Sequence, residues 1–467
     1  MAGEETMTWF LDAICRHTGG RLLARGEERF SAISTDTRTL TGGELFFALA
    51  GERYDGHTFL PQAWERGAAG VVVSQEPDTI PAGRSVILVP DTQRALGDLA
   101  HAHRRTFEGP LIAVTGSSGK TTTKEMIASI LSRVAPTLAS EKSFNNFVGV
   151  PLTLFRMTPI HRFVVLEFGM NAPGEIERLT EIAEPTIGLI TNIGHAHVGF
   201  LGNIEGVARA KGELWKGMAQ GTIAVNRDDP RIVTLAADRR LTHLSRITFG
   251  MEHPADVTAK GIEDRGFEGF SFTLEIRPAT FQARIDLHFL GRQNIANALS
   301  AAAAAVAAGV APETIAEGLC ACRPPKGRMV PIRLPGGLHI IDDTYNANPE
   351  SVRHAVETVA ALSIPGRKFV LLGDMFELGE HATALHHEVG SAIARAGIDH
   401  LGAIGSFAPD LVEGARWAGA KDTHTFPDHD AAAAWLRDRL RPGDLLLVKG
   451  SRGMRMERII SRFTGED

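Results

Sequence analysis

Residues 115–122, Thr-Gly-Ser-Ser-Gly-Lys-Thr-Thr, place two glycines, a lysine and hydroxyl side chains at the spacing of a loop that cradles phosphate. Gly116 and Gly119 permit a sharp turn with its N–H groups pointing inward. A helix starting just beyond them would add partial positive charge where a polyphosphate lies. Lys120 would meet the outer phosphates, and the Thr121 hydroxyl a magnesium ion. The commoner pattern, G-x-x-x-x-G-K-[ST], would put its first glycine where this chain has Val114, so the match is to the shorter T-G-x-x-G-K-T loop.

Two further groups fall at strand ends. Glu167 closes the apolar run in FVVLEFGM, and an acid there, in the same sheet as a phosphate loop, is placed to hold magnesium directly or through water. In TNIGHAHVGFLG another apolar run delivers Asn192, His195 and His197 to the same edge. An H-x-H pair can bind zinc, but no third ligand is spaced around it, so one imidazole beside a hard, oxygen-rich cation fits better. Lys211, in ARAKGELW, lies on an expected helix; its default reading is a solvated lysine paired with Glu205 or Glu213.

The elements that must position these residues read as α/β throughout. An apolar run at 111–114 predicts a buried parallel strand, and the spacing of Met126, Ile127, Ile130, Leu131 and Val134 predicts a helix over 121–134. Apolar runs at 163–168, 186–191 and 221–225 alternate with helical stretches such as 175–183, which implies a parallel sheet covered by helices. Residues 247–290 read as an antiparallel excursion, followed by an alanine-rich, closely packed helix over 295–308. After Arg323, Pro324 and Pro325, strands at 338–342, 368–372, 400–404 and 444–448 alternate with helices, as in a second doubly wound unit. The segment before residue 108 is mixed, with strands expected at 44–49, 69–73 and 86–89. Three domains follow: 1–108, mixed α/β; 109–322, a central phosphate-loop domain with a parallel sheet; and 323–467, Rossmann-like.

A formal charge of -6 without a basic block argues against nucleic acid as a partner. No apolar run approaches the roughly 18 residues that span a bilayer, and the N-terminus lacks a basic region followed by an apolar core, so a cytoplasmic protein without membrane insertion is expected. Cys15, Cys320 and Cys322 lack C-x-x-C spacing and read as reduced, small apolar residues.

Taken together, these motifs resemble those of the Mur ligases, the ATP-dependent amide-forming enzymes of peptidoglycan assembly, and the similarity runs over nearly the whole chain. The resemblance implies that Thr115, Gly116, Ser117, Ser118, Gly119, Lys120, Thr121 and Thr122 hold ATP, joined by Asn294 in GRQNIANAL, Arg328 in KGR, and Asp343. It implies magnesium at Thr121, Glu167 and His197, with Lys211 on the family's carbamylated-lysine position, and makes Lys120, Glu167, His197, Lys211 and Arg328 the catalytic set. STDTRTLTGGELFFALAGERYDGHTF looks like a UDP-sugar domain, which implies contacts from Thr37, Arg38, Asp55, Gly56 and His57, with Asn145 and Asn146 of KSFNNFVGVP.

That last segment, DDTYNANP and GDMFELGE look like the family member that adds the terminal dipeptide, so the implied partners are UDP-N-acetylmuramoyl-tripeptide and D-alanyl-D-alanine, acted on by a monomer. Asp343, Tyr345, Asn346 and Asn348 sit in the first strand-to-helix turn of the C-terminal unit, where amides suit a dipeptide backbone; a helix-capping turn is the plainer reading. The rivals are a ligase of the same fold acting on folate or adding the third residue, and, from another class, a phosphate-loop switch. For the switch, NRDD at 226–229 faintly matches a guanine reader, but Arg227 spoils it.

Overall fold

The computed structural model describes residues 8–51, 54–141, 144–194 and 201–465. Three main sheets succeed one another along the chain, and each is mostly parallel with helices packed against it.

The first has strands in the order Arg21–Ala24, Ser85–Leu88, Gly70–Val73, Leu45–Phe47, Ile33–Ser34, antiparallel only at the first pair. The strand expected at 44–49 shrinks to Leu45–Phe47. Glu44 turns its carboxylate back to accept the N–H groups of Thr41 and Gly42, at 3.1 and 2.7 Å, and so closes a turn where the apolar run begins.

The second sheet has nine strands, and Leu111–Thr115 lies between Phe163–Glu167 and Ile187–Ile190. Val114 is opposite Glu167 on one side, and Thr115 is opposite Ile190 on the other. All three strands run the same way, so their carboxyl ends form a single edge. Successive side chains of Leu111–Thr115 enter two different cores, as a pleated strand requires. Ile112 and Val114 pack with Ile127 and Ile130 of the helix Lys120–Leu131, while Leu111 and Ala113 pack with Leu179 and Trp215.

The alanine-rich helix Gln293–Ala307 packs against Lys120–Leu131, and Ala301 through Ala305 are wholly buried. The helix over 121–134 ends at Leu131 because Ser132–Val134 form a turn that leaves Val134 half exposed. The antiparallel excursion begins later than expected. Ser245–Gly250 continues the parallel sheet, and only Val257–Asp264, Phe270–Ile276 and Phe281–Leu287 form the antiparallel meander.

The third sheet runs Val330–Arg333, His339–Asp343, Leu445–Lys449, Lys368–Gly373, His400–Ile404, Thr423–Phe426, parallel except at its first pair. The two edge strands have no apolar run to announce them: one contains Pro331, and the other reads Thr-His-Thr-Phe.

Candidate active site

The loop between Thr115 and Lys120 is shaped by its glycines. Gly116 and Gly119 have φ of 150° and 77°. A Cβ on Gly119 would lie 2.3 Å from Asn297 Oδ1, so a side chain there would have to displace the Asn297 amide as well as adopt a left-handed backbone. The loop is also tied to the neighbouring strand end. Asn192 Oδ1 accepts the Ser118 N–H at 3.0 Å, the Thr191 hydroxyl donates to the Ser118 carbonyl at 2.7 Å, and Ser117 Oγ accepts the Gly194 N–H at 2.8 Å. Thr115 donates to the Phe168 carbonyl at 3.0 Å. Lys120 is half-buried, and its ammonium donates to the Gly116 carbonyl at 2.8 Å. Burial lowers its pKa, the nearby charge of Glu167 opposes that shift, and Arg328 adds to it.

Thr121 joins three parts of the chain. Its hydroxyl donates to Glu167 Oε2 at 2.8 Å and accepts from Arg328 Nη2 at 3.0 Å. Asn145 donates to the other Glu167 oxygen at 2.9 Å. Glu167 is 3 % exposed, so this edge holds a buried carboxylate with a hydroxyl and an amide N–H group beside it. The Arg328 guanidinium lies over the Tyr345 ring at 4.1 Å from its centroid, and its buried Nε has no hydrogen-bond partner among the described residues.

Lys211 departs from its default reading. It ends the helix Ile204–Lys211 and is 1 % exposed. Neither expected acid pairs with it: Glu205 lies near Arg231, and Glu213 accepts the N–H groups of Gly174 and Glu177. Burial, reinforced by the like charge of Lys120, holds its pKa well below the usual lysine range. His195 and His197 lie outside the described residues.

Facing this edge is the turn after the strand His339–Asp343. Asp343 is buried, and it accepts from Lys449 Nζ at 2.6 Å and from the Met329 N–H at 3.2 Å. Burial pushes the Asp343 carboxyl up and the Lys449 ammonium down, and their mutual attraction opposes both shifts. Lys449 also donates to the Asn346 carbonyl at 2.8 Å. It was missed in the sequence, although a lysine closing the wholly buried strand Leu445–Lys449 carries the same signal that singled out Glu167.

The Asn346 side chain is exposed in the cleft, whereas Asn348 is the N-cap of the helix Pro349–Ala361, its Oδ1 accepting the Ser351 N–H at 2.8 Å in a capping box. The plainer reading of that turn therefore holds for Asn348. Asn294 is likewise engaged, donating to the Leu290 carbonyl at 2.7 Å and accepting from Asn297 at 2.8 Å.

The remaining predicted residues divide. Asn145 and Asn146 line the same cleft, but Asn146 Oδ1 is occupied by the Gly149 N–H at 2.9 Å. Thr37, Arg38, Asp55, Gly56 and His57 lie in the first sheet's loops and do not line it. There the Thr37 hydroxyl donates to Gln62 at 2.7 Å, and Arg38 is paired with Asp36 at 2.7 Å. Asp55 accepts from His57 Nδ1 at 2.6 Å, and His57 Nε2 accepts the Ser74 N–H at 2.9 Å. In NRDD, Asn226 donates to the Thr191 carbonyl at 2.9 Å, Asp228 accepts the Met251 N–H at 2.6 Å, and Asp229 caps the helix Pro230–Ala236. Those groups are spent on structure, which removes the sequence feature favouring a switch.

The result is a cleft of about 880 Å³ with the phosphate loop, Glu167 and Asn294 on one wall and Arg328, Asp343, Tyr345, Asn346 and Lys449 on the other. Models of three domains match the chain: the Mur ligase family catalytic domain at 29–104, the Mur ligase middle domain at 114–305, and the Mur ligase glutamate ligase domain at 327–452. The UDP-N-acetylmuramoyl-tripeptide--D-alanyl-D-alanine ligase of Bacillus subtilis is 37% identical over 430 residues, 92% of each chain.

This chain belongs to the Mur ligase family. Solved Mur ligase structures share its whole architecture. MurF from Acinetobacter baumannii superposes with a TM-score of 0.90 at 33% identity, covering 99% of this chain and 100% of that one. MurF from Thermotoga maritima, solved in complex with ADP, gives 0.79 at 26% identity, covering 93% and 97%.

Proposed function

We propose that the protein joins D-alanyl-D-alanine to UDP-N-acetylmuramoyl-tripeptide with hydrolysis of ATP to ADP and phosphate, in peptidoglycan precursor synthesis. The observation that carries the reading is the cleft itself: a phosphate loop and the DDTYNANP turn face one another and are joined where Arg328 meets Thr121. The B. subtilis relative named for this reaction matches 92% of the chain. The reading divides the chain at 108/109 and 322/323, and takes the enzyme to be a cytoplasmic monomer.

A carboxylate is a poor acylating agent because its leaving group would be oxide. Transfer of the γ-phosphoryl group makes an acyl phosphate, from which phosphate leaves when the amine attacks. Lys120 and Arg328 stand where the transferring group would gather negative charge, and both are held in place before substrate arrives. Asn294 serves the adenine and Asp343 the nucleotide or the amine. Thr37, Arg38, Asp55, Gly56 and His57, with Asn145 and Asn146, serve the UDP-sugar peptide, and Tyr345 and Asn346 the dipeptide.

The oxygen donors at the strand edge fit a hard cation: the Thr121 hydroxyl and the Glu167 carboxylate are 2.8 Å apart and buried. Thr121, Glu167 and His197 would hold magnesium. Lys211, buried beside Lys120 without an acidic partner among the described residues, would complete the set as its carbamate. When bound, magnesium screens the repulsion between phosphate and carboxylate.

The test is ADP release assayed with each substrate omitted in turn. Release should require UDP-N-acetylmuramoyl-tripeptide and D-alanyl-D-alanine together. Thermal-shift screening should show stabilisation by UDP-sugar peptides and none by folates. ADP release without either substrate, or stabilisation by a folate, would refute the reading.

A further inference from the structure

The turn that follows the strand Lys368–Gly373 is built more firmly than a connecting loop requires. His386, 1 % exposed, accepts the Met375 N–H on Nε2 at 2.9 Å, so its proton lies on Nδ1, which donates to the Ala382 carbonyl at 2.7 Å. Its ring stacks on Phe407 at 4.7 Å. The Asp374 carboxylate accepts the Ser406 and Phe407 N–H groups at 2.7 and 3.0 Å. Ser451 accepts the Phe376 N–H at 2.8 Å and donates to the Ala347 carbonyl at 3.3 Å, which sews this turn to the one carrying Asn346.

What the turn presents is Glu377, exposed on the wall of the cleft and held at φ 65°, in the left-handed region that a glutamate rarely adopts. Backbone strain of this kind persists where surrounding contacts enforce it, and it concentrates at working sites. A carboxylate beside a phosphate site cannot serve to bind phosphate. On the dipeptide's side of the cleft, one seryl bridge from Asn346, it suits a cation.

The geometry points to Glu377 as a further catalytic residue, the carboxylate that receives the acceptor's ammonium group and takes its proton before attack. This rests on the ligase reading above. The amine enters as R–NH₃⁺, and one proton passes to Glu377, leaving a lone pair on nitrogen. That pair forms the new C–N bond while the acyl carbon–oxygen bond to phosphate breaks. Phosphate leaves with the bonding electrons and takes up the second nitrogen proton. The cleft that Glu377 lines also holds the cations Lys120, Arg328, Lys449 and Arg452, with His354, and the acids Glu167, Glu175 and Asp343, and the charge of Glu377 bears directly on Lys120.

The experiment compares wild type with Glu377→Gln, measuring ADP release against D-alanyl-D-alanine concentration from neutral to alkaline pH at saturating ATP and UDP-tripeptide. At pH 7 the variant should lose about a hundredfold in kcat/KM for the dipeptide, while KM for ATP stays within about twofold. The deficit should shrink above about pH 8, where the free amine supplies its own neutral form. A wild-type kcat/KM at pH 7, a deficit independent of pH, or an equal rise in KM for ATP would each overturn the assignment. Absence of dipeptide-dependent turnover in wild type would instead defeat the ligase reading itself.

Discussion

Arg328 donates to the Thr121 hydroxyl across 3.0 Å, linking the strand-edge carboxylate of Glu167 to the start of the third sheet. The guanidinium is held by its stack on Tyr345, and its buried Nε stays unpartnered among the described residues, an N–H donor ready for an anion. A lysine cannot reproduce the planar fork. Arg328→Lys should lower kcat for ADP release by about 10²–10³, the usual cost of one donor to a developing oxyanion. The melting temperature should change little. A variant with near wild-type kcat would show that the contact serves only to join the domains.

Lys211 gives a prediction with a definite sign. Its folded pKa is depressed by burial and by Lys120, whereas the unfolded chain keeps a lysine near about 10.4. Between those values the unfolded state binds more protons, so this residue makes stability rise with pH across that window. Lys211→Met should therefore match or exceed wild type in denaturant unfolding at pH 7, with the gap closing toward pH 10, in buffer freed of carbon dioxide. A gap that widens with pH would contradict the sign. The neutral amine is also the form that reacts with carbon dioxide. ¹³C-labelled bicarbonate should yield a carbamate carbon signal in wild type that is absent from the methionine variant. Small carboxylic acids should partly restore turnover to Lys211→Ala.

Much of this site was legible because its chemistry is carried at strand ends. A polar residue closing a buried run has to face the sheet's edge, and that logic singled out Glu167; Thr115 and Asp343, reached through the loop motif and the family resemblance and expected just beyond their strands, close them as well. Lys449 obeyed the same rule and was overlooked, because its partner Asp343 lies 106 residues away in the chain and only the parallel register of two strands brings them together. Lys211 failed in the other direction: Glu205, six residues before it, and Glu213, two after it, suggested a surface ion pair, while the burial that overrides it comes from the tertiary packing of its helix. Short, half-polar edge strands such as Thr423–Phe426 leave no periodic trace, since one side of each has no neighbour to satisfy.

The two asparagines of DDTYNANP should separate cleanly. Asn348 Oδ1 is committed to the Ser351 N–H, and the Ser351 hydroxyl accepts the Asn348 N–H at 3.0 Å, so the residue closes both ends of a capping box. Removing such a cap costs about 1 kcal/mol of stability. Asn348→Ala should therefore lower the melting temperature, and Asn348→Ser should recover most of the loss because a serine hydroxyl can make the same bond. Asn346 is different: its backbone carbonyl is held by Lys449, while its exposed side chain reaches, among the described residues, only the neighbouring Ala347 N–H, at 2.9 Å. That leaves its amide donors for a ligand in the cleft. Asn346→Ala should raise KM for D-alanyl-D-alanine about tenfold, the worth of one or two neutral hydrogen bonds, with unchanged KM for ATP and unchanged melting temperature. Equal stability losses in the two alanine variants, with dipeptide KM unaffected, would mean that the whole turn is a structural cap and that the dipeptide is recognised elsewhere.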